Sequence, residues 1–237
     1  MSPELKKKIQ LVLIAALVLA GARAAYILLE RRSEKAIEAK KKQAPPLNPD
    51  YYVSPKKLYP YDLKSAKQLT KQPVWVKEGY RYTYYPYDSA RHHAEFGHEA
   101  GQLLPIEKLE IKDVVTDVTP GVPDQKQLLA VFQREGKSFA LPIGSLRDGN
   151  YQIYSDEMLF IQDPRELYKH WPGEVWNAIS NHEVKPGMNE LQTSFALGMG
   201  VPEASGDESV KTVKYPNGGK PVTVIYRNGK AAEIKSS

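Results

Sequence analysis

Cysteine is absent from all 237 residues. Without a thiol the chain has no disulfide, no thiolate metal site, no cysteine nucleophile and no N-terminal cysteine to carry a lipid. Most of the chain also lacks a surplus of charge. The formal net charge of +5 resides in residues 1–46, with ten Lys/Arg against four Glu, while residues 47–237 hold 23 Lys/Arg against 24 Asp/Glu. A nearly neutral body argues against a basic nucleic-acid-binding face, so nucleic acid is not an expected partner. No GxSxG nucleophile elbow occurs. Gly136-Lys137-Ser138 looks like the end of a phosphate loop, but the first glycine of that motif would fall at Val131, and no helix is expected to follow. No cofactor is implied, and the chain reads as a non-enzyme.

One polar cluster tests that reading. Residues 91–101, RHHAEFGHEAG, hold three of the five histidines. His92, His98, Glu95 and Glu99 are the weak candidates for a metal, because His and carboxylate are zinc's remaining ligands once cysteine is missing. The spacing is neither HExxH nor HxxEH, and a polar loop between strands is the favoured reading. A metal-dependent enzyme built on His92–Glu99 is the third function hypothesis.

There is one long apolar run. Lys6, Lys7 and Lys8 precede residues 9–29, whose 21 residues would span roughly 31 Å as a helix, about one hydrocarbon core. The expected structure is a single-pass anchor in contact with membrane lipids, and Arg23 within it must snorkel or pair. A cleaved signal peptide ending at Ala22-Arg23-Ala24 is the competing reading. The anchor is favoured because Tyr26–Leu29 prolong the run and Arg31 and Arg32 follow it. The basic residues after the run favour a cytoplasmic C-terminus by the positive-inside rule, against the resemblance described below. Residues 30–43 read as a helical extension ended by Pro45-Pro46.

The remaining chain shows short strand patterns. Residues 44–72 read as a Pro-, Lys- and Tyr-rich tether with a short helix at Asp62–Leu69. Strands are expected at Val74–Val76, Tyr80–Tyr85, Lys108–Val118, Leu128–Gln133, Ser138–Ile143, Asn150–Tyr154 and Glu157–Gln162, with a Gly-containing turn at residues 134–137. Strands this short suggest a small barrel, and the pattern resembles bacterial SH3-like barrels. Nine of the 15 tyrosines lie between Tyr51 and Tyr87. In YRYTYYPY, Tyr80, Tyr82 and Tyr84 fall on one strand face and Tyr85 and Tyr87 on the other. They suit either a groove for Pro-rich peptides or simply a core. Asp163-Pro164 reads as an N-cap and first helical position. A second helix is expected at Gly173–Ser180, and a third after Asn189 with Gln192 completing a capping-box pair. Strands at Val210–Tyr215, Val222–Arg227 and Lys230–Ile234 close the chain, the last two joined by Asn228-Gly229, a type I′ signal.

This C-terminal order resembles the BamE (SmpA/OmlA) family. The matching residues are Gly187-Met188-Asn189, Leu191, Ala196-Leu197-Gly198, Pro202 and Asn228-Gly229-Lys230-Ala231. The resemblance covers about residues 172–235 and implies a scaffold that binds protein. The family's lipid-bearing Cys is missing, and Met199-Gly200 are inserted before the proline. The expected fold class is thus an N-terminal transmembrane helix, an all-β SH3-like barrel and an α+β (ααβββ) BamE-like module. The expected domains are 1–29 (anchor), 30–72 (stalk and linker), 73–163 (barrel) and 164–237 (helix–helix–three-strand module). The expected function is a non-enzymatic, membrane-anchored envelope scaffold at the inner membrane with its body in the periplasm; the alternative is an accessory subunit of an integral membrane complex. The expected protein-binding residues are Tyr215, Asn217, Tyr226 and Asn228.

Overall fold

The computed structural model describes residues 19, 21–35, 47–77, 81–203 and 209–236. The chain divides into two compact units, Met1–Tyr51 and Tyr52–Ser237. In the first, residues 21–35 form an exposed helix, α1. Among the described residues no helix is long and apolar enough to cross a membrane. This overturns the transmembrane helix of the expected fold, and with it the single-pass, inner-membrane and periplasmic placement. The physical reason lies in α1 itself, where Arg23, Glu30, Arg31, Arg32, Glu34 and Lys35 all sit within one short helix. Residues 9–18 and 20, the lysines Lys6, Lys7 and Lys8, and residues 36–46 of the expected stalk lie outside the described residues.

The described residues of the second unit form three antiparallel sheets. The largest is built on a long hairpin, β7 (Val122–Arg134) and β8 (Lys137–Arg147), flanked by β6 (Ile111–Thr119), β2 (Thr83–Asp88) and β3 (His93–Ala94). Its order is β3-β2-β8-β7-β6, with β4 (Gly101–Gln102) also on β2 and β9 (Asn150–Ile153) on β8. Two-residue turns set the register. Glu135-Gly136 have φ of 52° and 77°, and Asp148-Gly149 have 50° and 77°. Positive φ at both central positions is the type I′ geometry that matches strand twist. β7 and β8 run well past the short strands expected there, because polar residues such as Gln125 and Lys126 continue the ladder beyond the core. Gly144 permits the close approach of β9: a Cβ there would lie 2.4 Å from the Gln152 carbonyl oxygen.

The sheet is a half-barrel rather than the small SH3-like barrel expected: among the described residues its edge strands β3 and β6 do not pair with each other. The strand expected over Lys108–Val118 breaks at Glu110. Its first part, β5 (Lys108–Leu109), leaves to pair with β1 (Val74–Val76), which also pairs with β10 (Leu159–Phe160). A short helix, α3 (Ser155–Met158), replaces the start of the strand expected at Glu157. Near the start of the unit Asp62 caps α2 (Leu63–Ala66) through a reciprocal pair with Ser65.

The small sheet β10-β1-β5 has a core on each side. Val74, Val76 and Leu159 point into the half-barrel, against Val114, Leu128, Ala130, Phe132, Leu141 and Ile143. Trp75 and Phe160, next to them in sequence, belong to the second core. Period-2 alternation in strands of two or three residues is enough to supply both.

The second core lies between helices and the C-terminal sheet. Asp163 caps α4 (Pro164–Leu167), accepting the Arg165 amide at 2.8 Å. α5 (Gly173–Ser180) and α6 (Glu190–Leu197) follow. Asn189 and Gln192 exchange amide–side-chain hydrogen bonds of 2.8 and 2.9 Å, and Gly198 ends α6 at φ 82°. Three strands were expected here, but the structure has four, in the order β11 (Val201–Pro202), β12 (Val210–Tyr215), β13 (Val222–Arg227), β14 (Lys230–Ser236). The insertion after Gly198 carries Val201 and Pro202 into register with Lys214 and Val213. This and the open half-barrel replace the ααβββ and barrel descriptions of the expected fold class.

Candidate functional site

The C-terminal sheet has two unlike faces, and strand register assigns each residue to one of them. Directly opposed residues of an antiparallel pair share a face. Val213 opposes Val224, which opposes Ile234, and Lys211 opposes Tyr226, which opposes Ala231. These, with Tyr215 and Val222, form the side covered by α5 and α6. Trp176, Ala178 and Ile179 come from α5, and Phe195, Ala196 and Leu197 from α6. Lys211 confirms the side at the sheet's margin, its ammonium 2.6 Å from Glu190 of α6.

Among the described residues no helix packs on the opposite face. Its first row is Val201, Lys214, Thr223 and Lys235; its second is Thr212, Ile225 and Glu233; its third is Val210, Arg227 and Lys230. Val210, Thr212, Thr223 and Ile225 are half-buried, and Val201 is exposed. The charges stand at the margins. Glu233 lies 3.1 Å from Arg227 and 3.7 Å from Lys235, and Glu203 lies 2.6 Å from Lys214. Four cations therefore face two carboxylates, around a centre of β-branched side chains. Such exposed ion pairs contribute little to stability, so the charge remains available to a partner.

The four residues expected to bind protein do not converge. Tyr215 and Tyr226 are 1% and 2% exposed. Their hydroxyls meet at 2.7 Å beneath the helices. Burial pushes both phenols above the usual tyrosine range, and for Tyr215 the neighbouring Tyr226 hydroxyl adds to the effect. Asn217 and Asn228 sit in turns at opposite ends of β13, with φ of 46° and 50°. Asn228-Gly229 is the expected type I′ turn, and its amide donates to the Ser209 carbonyl at 3.1 Å. These residues shape the sheet, whereas Thr212, Lys214, Thr223, Ile225, Arg227 and Lys235 form the open face. The signal that separates the two sets was alternation: Tyr215 shares a period with Val213, and Tyr226 with Val224.

The histidine segment forms a loop around β3. His93 lies in the strand, with Nδ1 3.0 Å from an Asp117 carboxylate oxygen that also accepts the Ala94 amide at 2.7 Å. His92 sits in the preceding turn at φ 53°, and Glu95, His98 and Glu99 are exposed. Among the described residues no group of three or more His, Asp or Glu could hold a metal ion. In the tyrosine segment, Tyr84 packs inside the half-barrel against Phe132 and Phe139, and Tyr87 packs on its outer side. Tyr80 lies outside the described residues.

Comparison with family models, curated proteins and solved structures gives no match to this chain.

Proposed function

We propose that residues 52–237 are a non-enzymatic protein-binding scaffold. Its contact surface is the helix-free face of the C-terminal sheet, and its partner presents an acidic surface. The supporting observation is the face itself: β-branched Thr212, Thr223 and Ile225 at the centre, with Lys214, Arg227, Lys230 and Lys235 around them. An antiparallel sheet with one face packed leaves its other face open to contact. An uncharged centre within a charged rim is the usual anatomy of a protein interface, and the excess of cations favours an acidic partner. The resemblance of residues 172–235 to the BamE family points to the same scaffolding role.

A photo-crosslinking amino acid placed at Thr223 in the full chain tests this. The expected result is one dominant crosslinked partner, lost when Lys214→Glu and Lys235→Glu are combined. Crosslinking no stronger than from Gln152, an exposed position on the half-barrel, would contradict the assignment.

A further inference from the structure

An open groove of about 450 Å³ lies against the second core. Trp75 and Ile106 line one side. Trp176, Ile179 and His182 line the other, and Arg165 and Lys108 stand at its rim.

Two backbone features mark it out. Ile106 has φ 58° and His182 has φ 55°. A β-branched residue in the left-handed region is a true outlier, and such positions cost about 1–3 kcal/mol each. Both are held in place. The Ile106 amide donates to the Val76 carbonyl, and the Val76 amide to the Glu107 carbonyl, each at 2.9 Å. The His182 amide donates to Ile179 at 3.1 Å, and its Nδ1 lies 3.1 Å from the Ala196 carbonyl. His182 is the left-handed residue that ends α5, with the Glu183 amide donating to the Ala178 carbonyl at 2.9 Å, so the unexplained strain is that of Ile106, and it points to a shaped site on that wall.

Two cations and two carboxylates line the groove. The Arg165 guanidinium lies 5.5 Å from the Trp176 ring centre and donates to Ser180 Oγ at 2.8 Å. The Lys108 ammonium lies 5.8 Å from the Trp75 ring centre. Among the described residues neither cation has a carboxylate at ion-pair distance, although Lys108, after Lys112, helps to hold the Glu110 carboxyl below its usual range. Of the two acids, Glu107 is paired with a cation, while Asp163 keeps its charge at the head of α4. Asp163 caps α4 through the Arg165 amide. Glu107 pairs with Arg134 and accepts the Leu104 amide at 2.9 Å.

The geometry points to a second binding site, distinct from the open sheet face: a groove for an extended peptide segment that carries a large apolar side chain beside a carboxylate. The apolar group lies between Trp75 and Trp176, and the carboxylate meets Arg165 and Lys108. Arginine suits this role because only one of its five N–H donors is taken by Ser180.

Selection of a randomised peptide library on the full chain is the test. Enriched peptides are expected to combine Asp, Glu or a free C-terminal carboxylate with Trp, Phe or Leu, and to shift the indole N–H resonances of Trp75 and Trp176. Arg165→Gln with Lys108→Gln, both exposed positions, should weaken their binding about tenfold or more. Lys214→Glu with Lys235→Glu should leave it unchanged, which separates this site from the sheet face. Absence of enrichment overturns the groove, as does binding that survives loss of Arg165 and Lys108. Enriched peptides that shift neither Trp75 nor Trp176 overturn it as well.

Discussion

At the scale of single residues, the buried phenols of Tyr215 and Tyr226 convert burial into a dependence on pH. Below about pH 10 both the folded and unfolded chains keep these protons, and the pair contributes fully. Burial raises both folded-state pKa values, so above about pH 10 the unfolded chain ionises first and stability falls. Each phenol contributes a slope of about 1.4 kcal/mol per pH unit in that range. Tyr215→Phe with Tyr226→Phe removes both hydroxyls together, which avoids leaving one buried and unpaired. The double variant should lose less stability than the parent between pH 10 and 11 in urea titrations; equal losses would refute the assignment. Gly144 makes a separate point. A methyl group there meets the backbone of β9 at 2.4 Å, where no side chain can yield. Gly144→Ala should cost about 1–3 kcal/mol and should raise amide exchange in residues 150–153 ahead of the rest of the sheet.

At the scale of elements, α6 shows how local chemistry fixes a boundary. Asn189 and Gln192 satisfy each other's backbone donors, and Asn189→Ala should lower stability by about 1 kcal/mol, read as a lower urea midpoint with an unchanged slope. The caps, the two-residue turn at Asn228-Gly229 and the strands β12 and β13 were legible in the sequence because each depends on neighbours within a few positions. Other features depend on distant partners and were not. Nothing near Lys108 says that β5 leaves β6 at Glu110, because its partner Trp75 is about thirty residues earlier. The half-barrel stays open for the same reason. Tyr215 and Tyr226 were legible as strand residues, yet a tyrosine suits a contact surface and a core equally well, and only the cover of α5 and α6 decides between them. Ile106 offers no sequence signal for positive φ, so the groove beside it was invisible before the fold was known.

At the scale of the whole unit, the small sheet β10-β1-β5 decides whether residues 52–237 behave as one body or two. Trp75 and Phe160 belong to the helix-covered core, while Val74, Val76 and Leu159 belong to the half-barrel. Neither core can lose this sheet without exposing apolar surface in the other, at roughly 1.5–3 kcal/mol for each large side chain. The two cores should therefore open together. Native-state amide exchange on the full chain is expected to give the same global opening free energy at Ala130, in the half-barrel, and at Val224, in the second sheet. Phe160→Ala sits on the second core's side only, and a cavity there should cost about 3–5 kcal/mol. If the sheet couples the cores, both amides lose protection by that amount. A fall at Val224 alone would show two independent folding units. The small sheet would then serve the second core alone, and the groove between Trp75 and Trp176, whose apolar lining belongs to that core, would keep its shape without support from the half-barrel.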